Sequence, residues 1–277
     1  WYWFVISLVI CCSLGVYYIL RTSPVYERST QLLIKDDRLG GTAGGDVGAS
    51  FSGIGFLQPN TNVLNELASI TSPTVMAEVV RRLGLDVTYA EKGTFHDNAL
   101  YGSNLPLRFT FPDLGEKGAG SFEAVAHPDG SVTLRDFADK EGDPLDADPV
   151  TGRYDRLDTI RTPFGRVAVA PGATYSGDPL ASPLNIQVSV APVSKTAAKL
   201  ARKLVADAPE DYASIITLSY SDVSPERAED LLQGVIDVYN ENWIQDKNRI
   251  AVSTSEFIKD RLAVIESELG NVDSDIS

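Results

Sequence analysis

The first twenty residues, WYWFVISLVICCSLGVYYIL (Trp1 to Leu20), contain no charged side chain, and Arg21 ends the run. The stretch is apolar on every side, so as a helix it has no polar face to turn to water. About 20 such residues cover the ~30 Å hydrocarbon core of a bilayer. The spacing therefore predicts a transmembrane helix over residues 1–21. Trp1, Tyr2 and Trp3 crowd one end and Tyr17 and Tyr18 stand near the other. Aromatic side chains of this kind settle at the two water–lipid interfaces, which makes Trp1, Trp3, Tyr17 and Tyr18 the expected membrane anchors. A signal peptide would show positive residues in front, a shorter apolar part and a small-residue cleavage site behind, a pattern not read here. The chain begins at Trp1 and is read as lacking its own start, so charge does not set its orientation in the membrane.

The only two cysteines, Cys11 and Cys12, lie inside this stretch. They give no disulfide framework and no thiolate metal site, and they read as small, lipid-compatible side chains. The chain as a whole is acidic, with a formal charge of -14 over 277 residues. That argues against nucleic acid, whose backbone needs clustered Lys and Arg, and against a polybasic patch on a lipid surface.

Residues 22–224 read as one α+β domain beside the membrane. PVYERSTQLLIKDD (Pro24 to Asp37) reads as a strand leaving the membrane. The Gly-rich run from Arg38 to Asn60 lacks the Gly-Lys-Ser/Thr ending of a phosphate loop and reads as a flexible loop. Two helices follow. The first carries Val63, Leu64, Leu67 and Ile70 on one face. The second starts at Ser72 as N-cap with Pro73 behind it, shows Val75, Val79, Val80 and Leu83 as its stripe, and stops at Gly84. From about Leu105 to Ala191 the pattern is one of extra strands, with a hairpin at Pro128-Asp129-Gly130, a turn-rich stretch from Glu141 to Asp158, and single strands in TPFGRVAVAPG and SPLNIQVSVAP. Val193 to Asp207 reads as an amphipathic helix with Ala197, Leu200, Leu204 and Val205 inward, and Tyr212 to Asp222 as a strong strand.

The last segment, residues 225–277, reads as the start of a long helix. Ser224 is a natural N-cap, Pro225 suits the first helical position, and Glu226 suits the helix dipole. Ala228, Leu231, Leu232, Val235, Ile236 and Tyr239 form a wide apolar face expected to pack on the domain. After Trp243 the sequence turns polar. Ile258, Leu262, Ile265, Leu269, Val272 and Ile276 then fall at alternating spacings of four and three, a heptad seam. About 50 residues of continuous helix are expected. A narrow seam needs a partner helix, so the reading is a coiled-coil-like helix, cut inside its own repeat, whose partner is another copy or a later part of the chain.

Chemistry is sparse in this sequence. His96 and His127 stand in no ligand spacing and beside no nucleophile motif. Asp143, Asp146 and Asp148 lack the Gly and Glu of a calcium loop. No catalytic site, cofactor site or metal site is read from these residues.

The order of features resembles the bacterial polysaccharide co-polymerases, or chain-length determinant proteins, of the Wzz and Wzc type. Pro24, Tyr26, Leu32 and Ile34 match their membrane exit. NVLNELASITSPTVMAEVVRRLGLDV resembles their Asn-Glu helix followed by a Ser-capped helix ending in Leu83 and Leu85. The last segment matches best, through Ser224-Pro225, Ala228, Tyr239, Lys247 and the Phe257-Ile258-x-x-Arg261-Leu262 element. The long middle section is similar to the larger, kinase-linked branch.

The resemblance implies an inner-membrane protein with its main domain in the periplasm, between two spans. It implies a homo-oligomeric ring that controls the length and export of capsule, exopolysaccharide or O-antigen, with a polysaccharide polymerase, an outer-membrane export channel and the glycan itself as partners. In the larger branch a cytoplasmic tyrosine kinase follows, and it would bring ATP and magnesium. A periplasmic adaptor of a secretion or efflux pump is the alternative reading of a single span with long helices, and a sensor region is a third.

Overall fold

The computed structural model describes residues 1–33, 63–93, 96–173, 183–207 and 215–276. They form helices α1 (Tyr2–Arg21), α2 (Val63–Ile70), α3 (Pro73–Leu83), α4 (Val193–Ala201) and α5 (Pro225–Ile276). The strands are β1 (Tyr26–Leu33), β2 (Val87–Glu91), β3 (Asn98–Leu100), β4 (Leu107–Thr110), β5 (Gly120–Ala126), β6 (Ser131–Ala138), β7 (Val150–Arg153), β8 (Asp158–Thr162), β9 (Gly165–Pro171), β10 (Leu184–Val190), β11 (Val205–Asp207) and β12 (Ile215–Asp222). The chain divides into two compact units, Trp1–Val235 and Ile236–Ser277, and α5 runs through the boundary. The content is mixed α+β, with an apolar helix first and a long helix last.

Three antiparallel sheets build the first unit, with strand orders β1-β12-β11, β3-β2-β10-β5-β6-β7 and β4-β9-β8. In the first of these sheets, β1 pairs with β12 along its whole length, from Tyr26 opposite Asp222 to Leu33 opposite Ile215. β12 alternates, burying Ile216, Leu218, Tyr220 and Asp222, the half-buried-sheet pattern of period two. The α3 N-cap is as expected, with the Val75 N–H donating to Ser72 Oγ. Its other end closes with Gly84 in the left-handed region at φ +64. The N–H groups of Gly84 and Leu85 both donate to the Val80 carbonyl, and Leu85 is buried. Gly234 of α5 faces this helix, and a Cβ added there would lie 3.1 Å from Val79 Cγ1.

The strand-rich middle has its own core. Phe122 is fully buried and meets Phe109 edge to face at 5.3 Å and Phe137 at 5.9 Å. Truncating a side chain in such a setting costs about 3–5 kcal/mol. The Tyr89 hydroxyl accepts from the Phe109 N–H at 3.0 Å and donates to the Phe109 carbonyl at 3.3 Å, tying β2 to β4. Burial pushes the Tyr89 phenol up to about 12. The Tyr154 hydroxyl donates to the His127 carbonyl at 2.7 Å, beside the expected hairpin turn.

Two expectations need correction, and some strands were missed. The helix read over residues 193–207 ends at Ala201, and Val205 begins strand β11, exposed rather than inward. Its helical spacing is real in the sequence, but Val205 to Asp207 complete the edge of the β12 sheet, and ladder hydrogen bonds outweigh three residues of weak helix. TPFGRVAVAPG holds one strand, β9, as expected, while β8 just before it was not read. β8 and β9 pair as a hairpin, Thr162 opposite Gly165, with Gly165 at φ +98. The turn-rich stretch contains β7, paired with β6, and the short strands β2 and β3 were not read at all. The Gly-rich loop lies outside the described residues.

Candidate functional site

α1 is long and apolar enough to span a membrane, and none of its side chains is buried. Trp1, Trp3, Tyr17 and Tyr18 are all exposed. At its end, Arg21 Nη1 donates to the Tyr17 hydroxyl at 2.7 Å and Thr22 Oγ1 donates to the Tyr18 carbonyl at 2.9 Å. His96 Nδ1 lies 3.0 Å from the Leu20 carbonyl oxygen, which only a protonated nitrogen can approach productively. The second histidine, His127, lies 3.3 Å from Thr133 Oγ1 across the hairpin.

β1 leaves α1 and pairs with β12, and β12 feeds α5 two residues later. The two helices thus attach at the same end of one sheet. A polar network fastens this junction. Asp222 is buried and receives three bonds from the Arg227 guanidinium, the shortest 2.6 Å, and one from the Ser224 N–H at 2.9 Å. Ser224 caps α5 by accepting from the Arg227 N–H at 3.3 Å. Glu226, in the first turn, accepts from the Ser103 N–H and from Ser103 Oγ at 2.8 Å. Tyr101 donates to Asp230 Oδ2 at 2.9 Å, and burial followed by that carboxylate pushes its phenol up. Three side chains of α5, Glu226, Arg227 and Asp230, and the N–H of its cap Ser224 are therefore held by β12 and by the 101–103 turn.

Beside this turn lies a cleft of about 620 Å³, a volume usual for small-ligand sites. The end of α3, strand β4 and the 114–116 loop wall it, and Asp230 closes one side. Arg81 binds Glu116 at 2.7 Å across its rim. Asp86 is half-buried, and desolvation raises its carboxyl above the usual range while its own N–H and that of Val87 pull the other way.

The 52 residues of α5 form one helix of about 78 Å. Ala228, Leu231, Leu232, Val235, Val238 and Tyr239 are buried. Beyond Trp243 the described side chains are exposed almost without break, and Lys247 Nζ stands 5.1 Å above the Trp243 ring. Of the heptad positions, Ile258, Leu262 and Ile265 are exposed. Leu269, Val272 and Ile276 fall within α5, but their side chains lie outside the described residues.

The sequence reading named neither the junction nor the cleft. Asp222 and Arg227, five apart across a strand-to-helix step, were the available signal. Tyr101 and Asp230 are 129 positions apart and offered none. An acidic group of half-buried Asp139 with exposed Glu141 and Asp143 does gather its carboxylate oxygens within 4.8 Å. Asp139 Oδ1 is engaged there by the Glu141 and Asp143 N–H groups, as a loop brace. Compared with known proteins, the chain matches no family model and no curated sequence.

Proposed function

We propose that this chain is the membrane-anchored, periplasmic region of a polysaccharide co-polymerase. On this reading it sits in a bacterial inner membrane, assembles with copies of itself into a ring, and regulates the length and export of capsule, exopolysaccharide or O-antigen. It acts through assembly, with a polymerase and an outer-membrane export channel as partners. A cytoplasmic kinase domain using ATP and magnesium belongs to the proposal only through the resemblance to the larger branch.

The observation that carries the reading is the junction. An apolar helix and a 52-residue helix attach to neighbouring strands at one end of an antiparallel sheet. This gives a membrane anchor and a long helix one common base. Exposed Ile258, Leu262 and Ile265 add apolar positions at heptad spacing, as a helix with a neighbour to meet would carry. The ordered sequence motifs support the same reading.

The test is a gel of surface polysaccharide from the host with the gene deleted, beside wild type and a complemented strain. Lost or shortened polymer, restored by the gene, is the expected result. Polymer of normal amount and length in the deletion strain overturns the reading and favours the pump adaptor, with export of proteins or small molecules as the next assay.

A further inference from the structure

The last four carbonyls of a helix find no partner inside it. Two of those in α1 are met in different ways. Thr22 turns back on the Tyr18 carbonyl with its N–H, at 3.1 Å, and its hydroxyl, at 2.9 Å, and then leaves the helix in an extended conformation, φ -91 and ψ 120. The Leu20 carbonyl is met from 76 positions away, by His96 Nδ1 at 3.0 Å. A carbonyl only accepts, so Nδ1 carries a proton and donates.

His96 does not stand alone. Two residues on, Asn98 starts β3, which lies along β2 from Asn98 opposite Glu91 to Leu100 opposite Tyr89. Tyr101 follows in an extended conformation, φ -158 and ψ 151. A tight turn comes next, with the Asn104 N–H on the Tyr101 carbonyl at 3.1 Å and the Leu105 N–H on that of Gly102 at 3.2 Å. Leu105 is buried and holds the turn down. This is the turn that grips α5, through Tyr101 on Asp230 at 2.9 Å and Ser103 Oγ on Glu226 at 2.8 Å. One short stretch, residues 96–103, therefore touches the end of α1 at its start and the first turns of α5 at its end. From His96 to Tyr101 is at most about 18 Å of chain. Pairing with β2 in the middle and the bonded turn at the end leave it little slack.

We propose that residues 96–103 act as a strap that couples α1 to the base of α5, so that a change at the end of the anchor is felt at Glu226 and Asp230. The route runs beside the β1–β12 ladder and needs no contact between the two helices. The strap requires α1 to be held in a membrane, as proposed above, and it requires no particular role in polymer control.

The experiment is amide hydrogen exchange, followed by mass spectrometry, on the full chain in lipid nanodiscs. His96→Ala removes the donor to Leu20, His96→Asn keeps an N–H donor near the place of Nδ1, and Glu226→Ala releases the turn from α5. In His96→Ala, exchange is expected to rise about fivefold or more, the size of one lost hydrogen bond, both in residues 22–26 beside the break and in residues 227–232 at the far end. The Asn form should return both to wild-type rates. Coupling between two sites is reciprocal, so Glu226→Ala should raise exchange in residues 22–26 as well. Strands β5 and β6 should exchange as in wild type throughout. A rise confined to the mutated end overturns the strap, and so does an even rise that includes β5 and β6, which is loss of folding. Free exchange along the middle of α1 in the wild type removes the anchor and the strap with it, whereas the deletion gel bears on polymer control alone.

Discussion

Asp222, the last residue of β12, holds Arg227, in the first turn of α5, through both carboxylate oxygens, with Nη2 2.6 Å from Oδ1 and Nε 3.1 Å from each oxygen. Asp222 is 3% exposed and the Arg227 side chain 20%. Removing one partner of a buried pair leaves the other desolvated and uncompensated, at a cost of about 3–5 kcal/mol. Asp222→Ala also takes the acceptor from the Ser224 N–H. Denaturant unfolding of this variant should show a loss of about 3 kcal/mol or more. A loss under about 1 kcal/mol, the range of a surface pair, would mean that the junction does not depend on this clasp.

Gly102 stands at φ +53, and a Cβ there would come 2.3 Å from Glu226 Oε1. That carboxylate is pinned by Ser103, so it cannot simply swing aside. Gly115 has a similar φ, +62, but open space around it. Both Ala variants pay for the left-handed backbone, about 1 kcal/mol. Gly102→Ala should be the more destabilised in thermal melts, by the extra cost of the displaced Glu226. Equal melting points would show that the 101–103 turn is free to leave α5.

Asp113 accepts from the Arg166 N–H, Nε and Nη2 at 2.8–2.9 Å, bracing the loop before β5 against the start of β9. The Arg166 side chain and then its N–H hold the Asp113 carboxyl down to about 2. A folded-state value below the unfolded one gives stability that is present above the usual carboxylate range and is lost as pH falls through the folded value. The stability gap between wild type and Asp113→Ala should therefore be constant above about pH 5 and shrink progressively as the pH falls through about 2. Denaturant midpoints across that range measure it, and a gap that grows on acidification would contradict the assignment.

Leu262 is 53% exposed in the single chain. Leu262→Asp together with Leu269→Asp should leave the melting of the strand-rich domain unchanged, because an exposed carboxylate is solvated. If another helix covers these positions, a lone carboxylate there costs several kcal/mol and the assembly should dissociate. Light scattering of the detergent-solubilised protein reads the outcome. An unchanged particle mass would remove these positions from any interface.

What could be read from the sequence was local. Ser72 and Gly84 bound α3 because a cap and a left-handed stop act within four residues. Ser224-Pro225 started α5 for the same reason, and the absence of any later proline allowed the helix to run on. Val205 misled because its helical spacing fits Ala197 and Leu204, while its actual partner, Ser219, lies in a strand not yet reached. β7 was invisible for a related reason: Val150 to Arg153 has little strand character, and pairing with Ser131 to Leu134 supplies its order. The cleft was beyond reach altogether, since Arg108, Asp86 and Asp230 come together only when three separate elements have packed.

The way β1 pairs with β12 also decides how the domain would bear a load. α1 continues from the Tyr26 end of β1, and α5 departs from the Asp222 end of β12, directly opposite. Tension between the two helices would therefore act on the ladder like fingers parting a zipper, one rung at a time, and not in shear across all the rungs at once. The first rung to feel it is Tyr26–Asp222, and Asp222 is the residue that grips Arg227. The clasp joins β12 to α5 on one side of that seam, and the ion pair that crosses from β1 to α5 near this end is Arg28–Glu229, at 2.8 Å.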